Sequence, residues 1–324
     1  MREDRAVPAP GPGELLVRVT ACGICRTDLH VIEGDLPLVA SPIVPGHQIV
    51  GTVERVGPAE PSPSPHAPRR FDVGARVGAA WLRSTCGACA YCASGRENLC
   101  ERARFTGWHA DGGFAEYAIV PAAFAYALPS SLADAEAAPL LCAGIIGYRA
   151  LRLSGVGGTA GGRLGIYGFG SSASVTIQVA RARGCEVFVC TREPTHRELA
   201  RTLGAAWVGE IATPMPEPVD GAIIFAPAGE LVPIALRNLA RGGTLALAGI
   251  HMSRIPALDY ADLFNERRVV TVTANTRADG EELLAEAARI PIRPAVTTFA
   301  LEDANRALLA LKQGAFAGSG VLIP

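Results

Sequence analysis

The chain has 324 residues, 49% of them hydrophobic and 19% charged, enough for one large domain or two medium ones with real cores. Its net charge of −1 gives no electrostatic reason to bind nucleic acid or an anionic membrane face. No apolar run reaches the roughly eighteen residues a membrane-spanning helix needs, and nine cysteines, an odd number, argue against a closed disulfide framework.

The opening segment, "MREDRAVPAPGPGE", is polar and proline-rich and lacks the apolar core of a signal peptide. A cytoplasmic location is therefore expected, where thiols stay reduced. Next comes "CGICRTDLH". Taken alone, Cys22-x-x-Cys25 reads as a redox pair or as a source of metal ligands. "VPGHQIVG" places His47 just before a strand predicted over Ile49 to Val53. The insert "GPAEPSPSPHAPRRFD" carries too many prolines for a central sheet and predicts a surface loop.

Cys86, Cys89, Cys92 and Cys100 follow with the spacing C-x2-C-x2-C-x7-C. Four thiolates on a tight loop suit one tetrahedral zinc, and Gly87 and Gly95 supply the backbone freedom such a loop needs. A site closed by four thiolates leaves no position for substrate, so it reads as structural; an iron–sulfur cluster is the alternative. A zinc ribbon that binds nucleic acid calls for a basic surround. Arg83, Arg96, Arg102 and Arg104 are diluted here by apolar residues.

"APLLCAGIIGYRAL" puts Cys142 near the start of a predicted helix. Cys25, His47 and Cys142 are two thiolates and an imidazole, and a catalytic zinc takes three protein ligands plus an open position. Spacing does not bring the three together, and a lone buried Cys or His is more often a core residue than a ligand.

From Leu164 the pattern changes. A strand over Leu164 to Tyr167 enters "GFGSSA", a helix is predicted over Ser172 to Arg183, and a second strand over Glu186 to Cys190. In this G-x-G-x-x-A turn, Gly168 permits the tight turn, Gly170 lets backbone approach a pyrophosphate, and Ala173 lets the helix pack closely. "GAIIFAPAG", "LRNLARGGTLALAGI" and "RRVVTVTAN" continue the alternation and predict a doubly wound parallel sheet. Where an NAD-selective enzyme places Asp or Glu at the end of the second strand, this chain has Thr191 and then Arg192. NADP(H) is therefore expected over NAD(H), with Arg192 and Arg197 as phosphate partners. The alternative is a solvated Arg192, with Glu193 taking the ribose. Near the C-terminus "LEDANRALLALKQG" predicts an amphipathic helix closed by Gly314.

In order along nearly the whole chain, "CGICRTDLH", "PGHQIVG", "VGARVG", the four-cysteine lobe, "DGGFAEY" (Asp111 to Tyr117), "PLLCAG", the glycine-rich turn and "VLIP" resemble the zinc-dependent medium-chain alcohol dehydrogenase family. The resemblance implies an α/β chain. A GroES-like, β-rich catalytic domain would span 1–142 and 276–324, with a structural-zinc lobe at about 84–102, and a Rossmann domain would span 143–275. The catalytic cleft would lie between the two domains. Two zincs per chain follow, one on Cys25, His47 and Cys142, the other on Cys86, Cys89, Cys92 and Cys100. Cys22 would not bind metal, which removes the redox-pair reading. Thr27 and His30 match the family's proton relay, and Asp28 its carboxylate behind the zinc histidine. Cofactor contacts would come from Arg26, from Gly168, Phe169, Gly170, Ser171 and Ser172, from Thr191, Arg192 and Arg197, and from Ala226, Ala248 and Gly249. Trp81 is either a wall of the substrate pocket or ordinary core.

The implied function is reversible hydride transfer between a small alcohol or aldehyde and NAD(P), in a homodimer or homotetramer joined through the cofactor domains. Within enzymes, polyols, formaldehyde adducts or quinones are other substrate classes; a non-catalytic protein that binds dinucleotide and zinc as a sensor is the alternative. The chain departs from the family pattern in lacking a further strand before "GPGELLVRV", in Gln48 where a glutamate is usual, and in Ile146 where a threonine commonly faces the nicotinamide. Hypothesis: the neutral Gln48 leaves a site of two thiolates, one imidazole and zinc uncharged, making the metal the stronger Lewis acid.

Overall fold

A computed structural model of the protein describes residues 4–37, 39–59, 70–158 and 161–324. The proline-rich insert falls largely on 60–69, outside the described residues. In chain order the elements begin with β1 (Glu14–Ile24), α1 (Arg26–Glu33), β2 (Gln48–Val56), β3 (Arg76–Ala79), β4 (Leu82–Ser84), α2 (Ala90–Ala93), β5 (Arg104–Phe105), β6 (Tyr117–Pro121), β7 (Ala125–Ala127) and α3 (Asp134–Pro139). They continue with α4 (Ile145–Leu153), β8 (Arg163–Tyr167), α5 (Ser171–Ala182), β9 (Glu186–Cys190), α6 (Pro194–Thr202), β10 (Trp207–Gly209), β11 (Val219–Ile224), α7 (Leu231–Asn238), β12 (Leu239–Leu247), α8 (Tyr260–Leu263) and β13 (Arg268–Thr271). The last four are α9 (Arg277–Ala287), β14 (Val296–Ala300), α10 (Ala304–Gln313) and β15 (Ser319–Ile323).

The chain divides into two units: Met1–Cys142 with Ala274–Arg289 and Ala295–Pro324, and Ala143–Thr273 with Ile290–Pro294. In the first, β1 is the spine of a seven-stranded sheet ordered β14-β15-β1-β2-β3-β7, with β6 also paired to β1. Its pairings are antiparallel, except that β14 and β15 run parallel. Register shifts at Leu16/Val17 and Val19/Ala21 bend β1, so that it pairs with β6 through its first half and with β15 through its last residues. Leu15, Val17, Val19, Ile49, Val53, Val77 and Val120 fill the space the curved sheet encloses.

The second unit is a six-stranded sheet, β10-β9-β8-β11-β12-β13, parallel throughout. The apolar runs "LGIY", "VFVC" and "AIIF" are what a parallel sheet covered by helices on both faces requires. One core cluster packs Val232, Ala235 and Leu236 of α7 against Ala222, Ile224, Leu245 and Leu247 of β11 and β12. Among the described residues no helix is long and apolar enough to cross a membrane.

The predicted strands at β2, β8 and β9 and the helices at α5 and α10 are present, and Gly314 closes α10 with φ +66°. Cys142 lies, as expected, just ahead of a helix, α4; what the sequence did not show is that it sits in a π-helical turn, Leu140–Gly144, in a helical run continuous with α3. Pro139 has no N–H to give the preceding turn, so the α-ladder breaks there and the following turn widens.

Candidate active site and metal centres

Cys25 is the N-cap of α1. Its Sγ accepts the backbone N–H of Thr27 (3.3 Å), and Asp28 Oδ2 accepts the N–H of Cys25 (2.8 Å), a reciprocal cap built around a thiol. His47 enters from the turn before β2. Gly46 there has φ +95°, and a Cβ on it would lie 2.4 Å from the Phe114 ring, so only glycine serves. Cys142 arrives on the π-turn. The ligand atoms of Cys25, His47 and Cys142 all lie within 4.8 Å of one another, with Cys25 Sγ 3.3 Å from His47 Nε2.

Behind them, His47 Nδ1 donates to Asp28 Oδ1 (3.0 Å), which also accepts the N–H of Gly46 (3.2 Å). The charges settle one another. The bond from Cys142, with His47 opposite, holds the Cys25 thiol well below its ordinary range against the effect of burial. The Cys142 thiol is pushed up by that same bond and by burial. Burial acts to lower His47, but Asp28 and Cys25 outweigh it and hold the imidazole well above its usual range. Burial raises Asp28, and His47 partly offsets it. A divalent cation bound here would displace the protons from His47 and the two thiols, and two thiolates with one imidazole are zinc-preferring donors.

Cys86, Cys89, Cys92 and Cys100 likewise lie within 4.8 Å of one another. Gly87 and Gly95 both take φ +70°. Backbone N–H groups of Ala88 and Cys89 pull the Cys86 thiol down to about 5, whereas burial pushes Cys92 up to about 11. All nine cysteines of the chain are free thiols.

Of the other expected residues, Thr27 is buried and Arg26 exposed on the first turn of α1. His30 Nδ1 pairs with Asp35 Oδ2 at 2.7 Å, a partner the sequence reading did not name. Gln48 is buried, and its Nε2 has no partner among the described residues. Trp81 is half-buried with its ring 4.9 Å from that of His47.

In the second unit the expected cofactor residues gather at the carboxyl ends of the strands. Gly168 and Phe169 follow β8, Thr191 and Arg192 follow β9, Ala226 follows β11, and Ala248 and Gly249 follow β12. Gly168 has φ +83°, and a Cβ on it would lie 2.9 Å from that of Ala226. Gly170, the N-cap of α5 ahead of Ser171 and Ser172, faces open space. Ala173 is fully buried. Thr191 is buried, with its N–H on Gly209 O, and Arg192 is exposed. Arg197 is held by Glu210 at 3.0 Å.

The sequence reading passed over the aromatic group Phe105, Trp108 and His109. Four ring-bearing side chains within "RFTGWHADGGF" (Phe105, Trp108, His109 and Phe114) were the available signal.

A β-rich unit with two metal-ligand sets, and a parallel sheet with a dinucleotide turn, point to a zinc-binding dehydrogenase. The family profile described as alcohol dehydrogenase GroES-like domain matches residues 11–130, and that described as zinc-binding dehydrogenase matches 173–289. A probable alcohol dehydrogenase, AdhA, of Mycobacterium tuberculosis is 54% identical over 318 residues, covering 98% of this chain and 90% of the relative. The structure of acetophenone reductase from Geotrichum candidum in complex with NAD superposes with a TM-score of 0.85 at 27% identity, covering 99% of this chain and 93% of the other. CAD from Helicobacter pylori, complexed with NADP(H), gives 0.84 at 25% identity, covering 97% and 91%. The chain belongs to the zinc-binding medium-chain alcohol dehydrogenase family, a family of NAD(P)-dependent oxidoreductases.

Proposed function

We propose that the protein catalyses reversible hydride transfer between an alcohol and a nicotinamide dinucleotide, with NADP(H) preferred. Cys25, His47 and Cys142 would hold a catalytic zinc, and Cys86, Cys89, Cys92 and Cys100 a structural one. The observation that carries this reading is the contrast between the two sets: four ligands close one, while three leave the other a position for a substrate oxygen. Bound there, zinc supplies positive charge that eases loss of an alcohol proton and polarises a carbonyl.

The chain's own groups do the rest. Asp28 fixes the ring and tautomer of His47. Thr27, a buried hydroxyl, starts the path by which the alcohol proton leaves, and His30, half-buried against Asp35, passes it toward solvent. The turn from Gly168 to Ser172 receives the pyrophosphate at the N-terminus of α5. For the adenosine ribose, the absence of a carboxylate at Thr191 and the exposed Arg192 beside it support a 2′-phosphate. Because Glu210 already engages Arg197, Arg192 is the stronger candidate partner.

A homodimer or homotetramer is supported by the second unit's edge strand β13, which leaves Val269 exposed, and by Tyr260 and Phe264, 75% and 65% exposed. Nine free thiols support a reducing, cytoplasmic setting. The test is turnover of zinc-loaded protein on a panel of aldehydes with NADPH and NADH in parallel, with metal content measured on the same sample. The expected result is two zincs per chain and faster use of NADPH. Two zincs without turnover of any aldehyde would return the protein to the sensor reading.

A further inference from the structure

The longest gap between the four clustered cysteines runs from Ala93 to Leu99. Its apolar members, Ala93 and Leu99, are exposed, and so are Ser94 and Arg96. What the gap buries is polar: Glu97 and Asn98, on the single turn Glu97–Leu99 that delivers Cys100. Cys100 N–H donates to Glu97 O (3.1 Å), and Cys100 Sγ accepts the N–H of Cys86 (3.4 Å). Glu97 is therefore placed together with the ligand that closes the set.

The Glu97 carboxylate reaches a helix 180 positions further along the chain. Its Oε1 accepts the backbone N–H of Arg277 (2.8 Å), the first residue of α9, and the guanidinium Nε of the same residue (3.0 Å). Oε2 accepts Nη2 (2.9 Å). An N–H in the first turn of a helix has no partner within that helix, and this end carries partial positive charge. A carboxylate from elsewhere satisfies both. The guanidinium also donates to Ala123 O (3.4 Å).

The start of α9 is held by its own cap as well. Asp279 Oδ2 accepts the N–H (2.8 Å) and the hydroxyl (2.7 Å) of Thr276, whose Oγ1 accepts the N–H of Asp279 (3.1 Å). Asn275 Nδ2 donates to Tyr126 OH (3.4 Å), and a Cβ on Gly280 would lie 2.5 Å from the Tyr126 ring. Just ahead, Ala274 takes φ +48°, a left-handed conformation that a residue with a Cβ keeps only where its surroundings hold it. Ala274 is also where the chain returns to the first unit after β13.

We propose that the Glu97–Arg277 pair couples metal binding at the four cysteines to this return segment. The inference rests on the structural-zinc reading above and gives that metal a task. A gap whose apolar side chains are exposed depends on the ligands at its ends for closure. With the four ligands gathered, Cys100 fixes Glu97, and Glu97 fixes the start of α9. With the ligands apart, the gap opens and takes the carboxylate away from α9. The coupling is reciprocal: Arg277 strengthens metal binding by the same factor by which the metal strengthens the hold on α9.

The first arm of the experiment reads zinc. In a Cys142→Ala background, which removes a ligand from the other set, chelator competition reports the four-cysteine zinc by itself. Adding Arg277→Ala should weaken that zinc about tenfold or more. Arg277→Lys keeps a cation but loses the two-pronged fork, so it should weaken the zinc in the same direction by less. It carries the test where Arg277→Ala does not fold. An affinity within about twofold of the background in the folded variants overturns the inference, because a pair that only stabilises the fold leaves the metal's affinity alone.

The reciprocal arm follows amide exchange by mass spectrometry in zinc-loaded wild type and in Cys89→Ser, whose four-cysteine set has lost a ligand. Exchange at the start of α9 should speed about tenfold or more, with α10 of the same unit unchanged. Exchange unchanged in α9, or faster in both helices alike, overturns the inference. Turnover enters neither arm. A protein without dehydrogenase activity whose zinc affinity follows Arg277 sustains the coupling and sinks the enzyme reading. A wild type that holds no zinc on the four cysteines sinks the structural-zinc reading and the coupling together.

Discussion

Asp28 Oδ1 lies 3.0 Å from His47 Nδ1, and the two side chains are 2% and 1% exposed. The same carboxylate caps Cys25 through its other oxygen, so one side chain positions two of the three grouped ligand residues. Asp28→Asn keeps the shape and can still accept the Cys25 N–H, but it loses the charge that fixes the histidine tautomer. Zinc affinity at this site should fall about 10–100-fold, read by chelator competition, while the four-cysteine zinc stays bound. Affinity within about twofold of wild type would show that Asp28 does not orient His47.

Glu97 and Arg277 tie the four-cysteine segment to the start of α9. Glu97 accepts the backbone N–H of Arg277 (2.8 Å) and its guanidinium at 3.0 and 2.9 Å, and the guanidinium lies over the Phe124 ring. With side chains 9% and 21% exposed, removing Arg277 takes the neutralising guanidinium from a largely buried carboxylate. Arg277→Ala should cost about 3–5 kcal/mol in denaturant unfolding. A loss below about 1 kcal/mol would show that solvent reaches Glu97 freely.

At the cofactor end, Thr191→Asp puts a carboxylate where a 2′-phosphate would sit. Its kcat/KM with NADPH should fall tenfold or more, about 1.4 kcal/mol or above, with NADH retained. Arg192→Ala should lower NADPH use about tenfold and leave NADH within about twofold. A wild type that uses NADH better ends the selectivity argument.

Gln48 is buried beside His47. Gln48→Glu would add a negative charge there and weaken the Lewis acidity of a metal on Cys25, His47 and Cys142. Alcohol oxidation should slow, and its pH profile should move to higher pH, because the alcohol proton is then held more tightly. Turnover and profile both unchanged would remove the hypothesis.

Much of the molecule was legible locally. The spacing of Cys86, Cys89, Cys92 and Cys100 described a ligand loop because neighbouring thiols close on one point at little entropic cost. The strand, the turn at Gly168 and helix α5 were legible because dihedral preference and periodicity act over a few residues. The helix ending at Gly314 was legible for the same reason. The π-helical turn that carries Cys142 was not legible, since apolar periodicity over a few residues does not distinguish a π-turn from an α-turn.

The sequence by itself determined which residues bear chemistry and which short segments turn, coil or extend. Only the tertiary structure decided which of them meet. Cys25, His47 and Cys142 come from three separate segments, Glu97 reaches Arg277 across 180 positions, and Trp108 is carried to Trp81 by a loop sewn onto Gly46. Those meetings follow from strand pairing and close backbone packing. Spacing along the chain carries no record of either, because the loops between the segments can close at nearly the same entropic cost in many arrangements.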